Sequence, residues 1–282
     1  MPLYSICTTC YNSVSCVDGF MEPFTKLSND YELVIVDGGS SDGTYEKLLK
    51  YSGLNNFKLI RQKCSRGKGR QIAMEASSAP VVAHVDFDVS YLDIAGLLNL
   101  YEKINVDRIY HFNPINPGCG TPVIIGNRKL FNILKGFGDV NAHDDMYFFK
   151  KADSVNLRVH IGLNFRYMCL KIKDMSSSTE KRYSKNFLSR LNRRILLTRD
   201  LLFVSSGNYN TVKMEYKLRG WRIIIELIPE YILGKLLLPS VKAEKLNKAI
   251  PEIRKRYKEY LEENNRHYNS QDLVYNNKNN NS

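Results

Sequence analysis

Short apolar runs alternate with amphipathic segments over the first half of the chain. Apolar runs of strand length occur at residues 3–7, 31–37, 57–63 and 81–88. Apolar residues at helical spacing fill the intervals, at residues 43–52 and 69–78 and in a stretch that ends near Leu27. This alternation is typical of a parallel sheet with crossover helices. We therefore predict the α/β class, with a mostly parallel sheet flanked by helices.

The character of the sequence changes after about residue 175. We predict a catalytic domain at 1–175, a helical, basic and amphipathic annex at 176–264, and a disordered Asn-rich tail at 265–282. Within the annex, residues 186–204 form an amphipathic helix. Its apolar face carries Leu188, Leu191, Ile195 and Leu202, and its opposite face carries Arg190, Arg193, Arg194 and Arg199.

A second annex segment, residues 221–239, has nearly the length of a membrane span. Its charged residues and Pro229 argue against spanning, because each charge near the bilayer centre costs about 2.5–3.5 kcal/mol. The segment fits either an interfacial helix or a helix buried against the catalytic domain. The arginine-rich helix favours the interface, so we expect a cytoplasmic protein docked peripherally on an anionic membrane surface.

The chain of 282 residues carries a formal net charge of +12. Such an excess indicates a polyanionic partner, whether a membrane surface, a phosphate-bearing substrate or nucleic acid. The start of the chain lacks the pattern of a secretory signal, so the six cysteines are expected to be reduced. Cys7, Cys10 and Cys16 lack the second pair that a structural zinc site needs, and Cys7 reads better as a buried strand residue.

Two carboxylates, Asp86 and Asp88, end the apolar run that begins at Val81. In a strand, residues two apart point to the same side, so these charges would face one another. A divalent cation reconciles such a pair, and oxygen ligands select Mg²⁺ or Mn²⁺. Ligands of open α/β sheets bind at the carboxyl ends of strands, which favours a metal site over a solvated surface pair.

The segment CSRGKGRQ precedes this strand. Arg66, Lys68 and Arg70 alternate with Gly67 and Gly69. Glycines allow a backbone to approach a ligand, and the cations match phosphate oxygens. A solvated basic loop is the alternative interpretation.

Taken in order, the segments SICTTCYNS, YELVIVDGGSSDGTYEKL, RGKGRQIAMEAS and VVAHVDFDVS resemble the nucleotide-sugar half of family 2 glycosyltransferases, which have the GT-A fold. The resemblance covers roughly residues 3–150, and residues 36–44 carry the strongest part of it. One departure is that Thr9 and Cys10 precede Tyr11 and Asn12, where this family often has proline.

The resemblance implies a nucleoside-diphosphate sugar donor bound with Mg²⁺ or Mn²⁺. Asp86 and Asp88 match the metal-binding Asp-x-Asp, in which the ion bridges the diphosphate. The residues implied on the nucleotide side are Thr9, Asn12, Asp37, Arg66, Lys68 and Asp86.

The family also implies an acidic pair at the start of a helix, after a Gly-Gly-Phe-like turn. Residues 134–149 match, with Asp145 at the position of the general base and Asp144 as a helix cap or as the group that orients the base. His143 is expected to be a supporting or surface residue. The implied reaction inverts the anomeric carbon, with a glycan or lipid-linked acceptor.

Two other functions fit parts of the sequence. A sugar-phosphate nucleotidyltransferase would place a Gly-rich basic loop after its first strand, whereas the segment TTCYNSVSC has no glycine. A nucleic-acid-binding protein is suggested only by the charge, and residues 186–204 lack the aromatic interleaving of single-strand binders. We therefore expect no nucleic-acid partner.

Overall fold

A computed structural model describes residues 1–91, 94–96, 98, 107–112, 123–161, 172–175, 187–206 and 231–264. Of the segments discussed above, residues 221–230 and the tail at 265–282 lie outside the described residues.

The described residues contain nine strands: β1 Tyr4–Cys10, β2 Tyr31–Asp37, β3 Phe57–Arg61, β4 Val81–Val85, β5 Val89–Tyr91, β6 Ile109–Phe112, β7 Val123–Asn127, β8 Arg158–Ile161 and β9 Ile172–Asp174. The α-helices with defined bounds in the described residues are α1 Val17–Met21, α2 Thr44–Leu49, α3 Arg66–Ala76, α4 Arg128–Ile133, α5 Asp144–Asp153, α6 Phe187–Val204 and α7 Leu246–Glu263. Residues 231–236 are also helical, and a 3₁₀ turn follows at Leu238–Ser240.

The main sheet has seven strands in the order β3-β2-β1-β4-β7-β6-β8. Its strand pairs are parallel except where β7 runs antiparallel to β4 and to β6. The predicted α/β class with a mostly parallel sheet is confirmed. Strands β5 and β9 form a separate antiparallel pair beside it. Because β1, β2 and β4 are parallel neighbours, their carboxyl ends meet at one edge of the sheet.

The central strands β2, β4 and β7 are buried on both faces, so they are apolar along most of their length, whereas the edge strand β3 is partly exposed. Side chains alternate along β2: Ile35 packs on one face against α1, and Val34 and Val36 pack on the other against α3. Aromatic side chains also cover the face of Val34 and Val36, where Phe137 stacks on Phe148 with ring centroids 4.6 Å apart. These aromatic side chains tie α5 to the sheet behind the carboxyl edge.

The observed elements correct three boundaries expected from the sequence. β1 continues to Cys10 instead of ending at residue 7, and Cys7 is fully buried within it as predicted. β4 ends at Val85, so Asp86 and Asp88 lie in the following turn, where strand alternation does not place them. The segment from Arg66 is the first turn of α3 and not a loop.

The annex contains the predicted amphipathic helix as α6, with one exception on its basic face. Arg199 is buried and its guanidinium pairs with Asp200, with Nη2 2.6 Å from the carboxylate. A buried carboxylate on the same turn therefore turns Arg199 inward, away from Arg193, which is exposed. Within the described ranges, no helix combines the length and the hydropathy that crossing a membrane requires.

Candidate active site

The turn after β4 holds Asp86 and Asp88 in place through the residues around them. Phe87 inserts into the core and stacks on Phe20, with ring centroids 4.4 Å apart. The hydroxyl of Tyr91 accepts a hydrogen bond from the backbone N–H of Asp86 at 2.9 Å and donates to its carbonyl. Both carboxylates are partly exposed, so they border the open end of the sheet.

The first turn of α3 packs closely against this region. Ser65 caps the helix by accepting a hydrogen bond from the N–H of Lys68. A Cβ on Gly67 would collide with the carbonyl oxygen of Gly138, and a Cβ on Gly69 would collide with the side chain of Thr9. These glycines are therefore explained by packing between protein segments, which corrects the expectation that they admit a ligand.

Arg70 links the Asp86 turn to the start of α5. Its Nη2 donates to Oδ1 of Asp86 at 2.5 Å, and its Nε lies 3.1 Å from Oδ2 of Asp144. The guanidinium is buried and lies over the ring of Phe137, 5.2 Å from the centroid. One arginine thus fixes the distance between the two acidic segments.

The two members of the acidic pair differ in accessibility. Asp144 is fully buried, and its Oδ1 accepts a hydrogen bond from Nε of Arg66 at 2.6 Å. His143, not Asp144, is the N-cap residue, and its φ of 55° turns the chain into the helix. Asp145 is partly exposed and accepts a hydrogen bond from the N–H of Met146. Of the pair, Asp145 is the carboxylate that a substrate can reach.

The surroundings shift the pKa values of Asp86 and Asp144 in opposite directions. Burial raises the pKa of Asp86; Arg70 opposes this shift and the Asp88 carboxylate adds to it. Burial also acts to raise the pKa of Asp144, but Arg66 and Arg70 outweigh it and lower that pKa. The two arginines therefore favour the ionised form of Asp144.

The remaining predicted cations lie on α3. The side chain of Arg66 is 47% exposed although its guanidinium pairs with Asp144. Lys68 is partly buried two residues further along the helix.

The predicted nucleoside side lies at the ends of β1 and β2. The hydroxyl of Thr9 donates to the carbonyl of Val36 at 3.0 Å. The side-chain oxygen of Asn12 accepts a hydrogen bond from the N–H of Ser41 at 2.9 Å, which joins the segments after the two strands. Both residues are partly exposed at the edge that also carries Asp86.

Asp37 is fully buried beneath this edge. Its carboxylate accepts from the N–H of Ser40 at 3.1 Å and lies 3.6 Å from Nε of Arg61. Arg61 also donates to the carbonyl of Ser40 and lies over the ring of Tyr45. A ligand can touch Asp37 only after a neighbouring group moves, so in this structure the residue shapes the edge from below.

The chemistry of the Asp86 turn fits a divalent cation. Two partly exposed carboxylates supply hard oxygen ligands, and a cation would offset both the burial and the repulsion that raise the pKa of Asp86. In the described part of the chain, no group of three or more His, Cys, Asp or Glu side chains could surround one ion. Asp86 and Asp88 alone would leave most of the coordination positions of such an ion open.

Three structural residues of this region carried no signal in the sequence analysis: Arg70 as the link between acidic segments, Tyr91 as the anchor of the Asp86 turn, and Lys151. The buried Lys151 donates from Nζ to the carbonyl of Gly136, in the turn that precedes the acidic pair. Tyr91 lies five positions after Asp86, whereas Lys151 bonds the turn at Gly136 fifteen positions before it, and neither spacing is typical of a functional motif.

The part of the chain that contains both acidic segments matches a known family. The profile of Glycosyl transferase family 2 matches residues 5–149. No match is found among curated protein sequences.

Several solved structures share the fold. S. aureus TarS 1-349 in complex with UDP-GlcNAc matches with a TM-score of 0.54 at 15% identity, covering 95% of this chain and 93% of that chain. The mannosyltransferase PcManGT from Pyrobaculum calidifontis, in complex with GDP-Man and Mn²⁺, matches with a TM-score of 0.54 at 14% identity, covering 97% and 78%. In a further S. aureus TarS structure, with a TM-score of 0.51 at 15% identity, the match covers 72% of this chain and 40% of that one. Identities this low show the fold alone, and that fold is the predicted GT-A type.

Proposed function

We propose that this chain, which belongs to glycosyl transferase family 2, transfers a sugar from a nucleoside-diphosphate donor to a hydroxyl or phosphate acceptor. The observation that carries the proposal is the bridge made by Arg70. It holds the Asp86 turn, suited to a cation and a diphosphate, against the helix that begins with Asp144 and Asp145. This bridge supports a donor site that lies beside the candidate base. The UDP-GlcNAc and GDP-Man complexes of the structural neighbours suggest which donors to try first.

In the proposed reaction, Asp145 accepts the proton of the acceptor hydroxyl. The hydroxyl oxygen forms a bond to the anomeric carbon as the bond from that carbon to the diphosphate breaks, and the nucleoside diphosphate leaves with the electron pair. A single displacement of this kind inverts the anomeric configuration. Asp145 suits the role because it is partly exposed, whereas the carboxylate of Asp144 is buried and paired with Arg66 and Arg70.

Asp86 and Asp88 would hold Mg²⁺ or Mn²⁺, which when bound neutralises charge on the departing diphosphate. The exposed part of Arg66, together with Lys68, would add positive charge beside the same phosphates. Thr9 and Asn12 would border the nucleoside, and Asp37 would support that pocket through Ser40.

We further propose that the protein docks on an anionic membrane and uses a lipid-linked acceptor. Helical residues 231–236 lie on α6, because Gly234 contacts Thr198 and Arg199 there. Their exposed residues are mostly apolar: Ile232 is 52% exposed and Leu236 is 69% exposed, with the exposed Lys235 beside them. Exposed apolar residues beside a basic helix are the combination expected of an interfacial anchor.

The function is tested by incubating the purified protein with a panel of nucleoside-diphosphate sugars that includes UDP-GlcNAc and GDP-Man. We expect release of the nucleoside diphosphate from at least one donor with Mn²⁺ or Mg²⁺, and none with chelator. Turnover of a sugar 1-phosphate with a nucleoside triphosphate instead would identify a nucleotidyltransferase.

A further inference from the structure

We propose that Asp200, in α6, is a positioning residue for the acidic pair, and the inference rests on the proposed role of Asp145. Asp200 lies beyond the part of the chain that the family profile matches. Its Oδ2 accepts hydrogen bonds from two consecutive backbone N–H groups, that of Asn141 at 2.9 Å and that of Ala142 at 3.0 Å. The annex thereby holds the loop that leads directly into Asp144 and Asp145.

The carboxylate of Asp200 is itself rigidly held. It is fully buried, and its Oδ1 accepts from Nε of Arg199 at 2.8 Å. Arg199 in turn donates to the hydroxyl of Ser240 at 3.0 Å. Burying an ion pair contributes little net stability, because desolvation offsets the attraction. The hydrogen bonds that Asp200 accepts from two adjacent amides are directional, and they specify the backbone conformation at Asn141 and Ala142. We assign this role to the buried Arg199–Asp200 ion pair.

The loop from residue 139 to residue 143 needs such support. It contains no regular secondary structure, and it ends in His143 in the left-handed conformation. Its first half is tied to α3: Asp139 accepts from the hydroxyl of Ser65 at 2.5 Å, and the carbonyl of Val140 accepts from the N–H of Gly67 at 3.0 Å. Its second half is tied to Asp200. The loop is therefore clamped between the helix that carries Arg66 and Arg70 and the helix of the annex.

Apolar residues extend the contact between α6 and this region to the residues that follow the acidic pair. Leu201 and Leu202 of α6 pack with Met146, and Val204 packs with Tyr147. Residues on both sides of Asp145 thus rest on α6. A small displacement of α6 would move Asp145 relative to the donor, and misplacement by about 1 Å is enough to lower a catalytic rate about 100-fold.

The test compares Asp200→Ala and Asp200→Asn with a matched pair elsewhere, Glu32→Ala and Glu32→Gln. Glu32 is also a buried carboxylate that accepts from two consecutive backbone N–H groups, those of Ser78 and Ala79. It lies at the opposite, amino-terminal edge of the strands. The readouts are UDP or GDP release from saturating UDP-GlcNAc and GDP-Man, the affinity for UDP and GDP, and amide hydrogen exchange at residues 141–145.

We expect Asp200→Ala to lower the release rate per folded molecule about 100-fold, with nucleotide affinity nearly unchanged and exchange at residues 141–145 accelerated. Asp200→Asn keeps an acceptor oxygen and should recover part of the rate. The Glu32 variants should lower the melting temperature and leave the rate per folded molecule unchanged. Wild-type rate and wild-type exchange in Asp200→Ala, or an equal loss of rate in Glu32→Ala, would overturn the proposal.

Asp145→Asn in the same assay separates this inference from the proposed function. If Asp145→Asn is slow and Asp200→Ala is fast, only the positioning role is wrong. If Asp145→Asn retains full rate, the assignment of the base is wrong. If wild-type protein releases nucleotide from neither donor, hydrogen exchange still decides, and unchanged exchange at residues 141–145 in Asp200→Ala rejects the positioning role.

Discussion

Nη2 of Arg70 lies 2.5 Å from Oδ1 of Asp86, and this ion pair joins the carboxyl end of β4 to α3. The planar guanidinium reaches Asp144 with its Nε at the same time. A lysine carries the same charge but cannot span two carboxylates in a fixed geometry. Arg70 is therefore a direct link between the proposed donor side and the proposed base side of the site.

Arg70→Lys should lower nucleoside-diphosphate release about 100-fold, because Asp86 and Asp144 lose their common partner. The matched control is Arg128→Lys. Arg128 also makes several directed bonds, to the carbonyls of Ala79 and Met74, but it lies at the amino-terminal end of β4. Arg128→Lys should lower the melting temperature and leave release per folded molecule unchanged, and equal effects of the two variants would show that Arg70 is only structural.

Asp88→Ala should abolish metal-dependent release and keep the fold, because the carboxylate is partly exposed and its backbone carbonyl still accepts from the N–H of Met175. The measurement is Mn²⁺ binding by calorimetry together with release in Mn²⁺ and in chelator. Full activity of Asp88→Ala in chelator would remove this carboxylate from the proposed metal site.

The sequence predicted both acidic segments of the site because each one is local: Asp86 with Asp88, and Asp144 with Asp145. Their connections were not predictable in the same way. Arg70 reaches Asp144 across 74 positions of the chain (144 minus 70), and Asp200 reaches Asn141 across 59. Such pairs depend on how helices pack, which hydrophobic periodicity does not determine.

The glycines of α3 show the same difference between local and tertiary causes. Their spacing with basic residues favoured a phosphate-binding loop, yet Gly67 and Gly69 are needed because Gly138 and Thr9 pack on the helix. Arg199 is buried because its neighbour Asp200 is held inward by the N–H groups of Asn141 and Ala142, a contact that the amphipathic pattern does not indicate.

Glu32 provides a prediction of acid stability. Its burial opposes ionisation, but hydrogen bonds from Ser5, Ser78, Lys58 and Ala79 outweigh it and lower its pKa from 4.5 to about 2. A lowered carboxyl pKa contributes stability that is fully present above pH 4.5 and is lost as the pH falls through about 2. This contribution is on the order of 3 kcal/mol. Glu32→Gln should therefore be less stable than wild type at neutral pH, and the difference should shrink between pH 4.5 and 2.

Urea unfolding at a series of pH values measures that difference. A difference that stays constant down to pH 2 would mean that the ionised form of Glu32 is not what stabilises the fold.

Membrane docking predicts that the protein floats with anionic liposomes at low salt. Replacing Arg193 and Arg194 with Glu should release it, because each basic residue near an anionic surface contributes about 1 kcal/mol. The charge-matched control replaces Lys255 and Lys258 with Glu; their side chains are 78% and 59% exposed on α7. If the unmodified protein does not float with the liposomes, a soluble acceptor is favoured. If both pairs of substitutions release the protein equally, the binding is a non-specific charge effect.

The central claim is that Asp145 is the general base of a nucleoside-diphosphate-sugar transferase, and Asp145→Asn tests it most directly because the change removes a charge with little change in volume. The measurement is release of UDP or GDP from saturating donor with Mn²⁺, alongside the affinity for the nucleotide. We predict unchanged affinity with a rate lowered about 10²- to 10⁴-fold, as loss of a general base implies. A wild-type rate in Asp145→Asn, with the loss appearing in Asp144→Asn alone, would contradict the account.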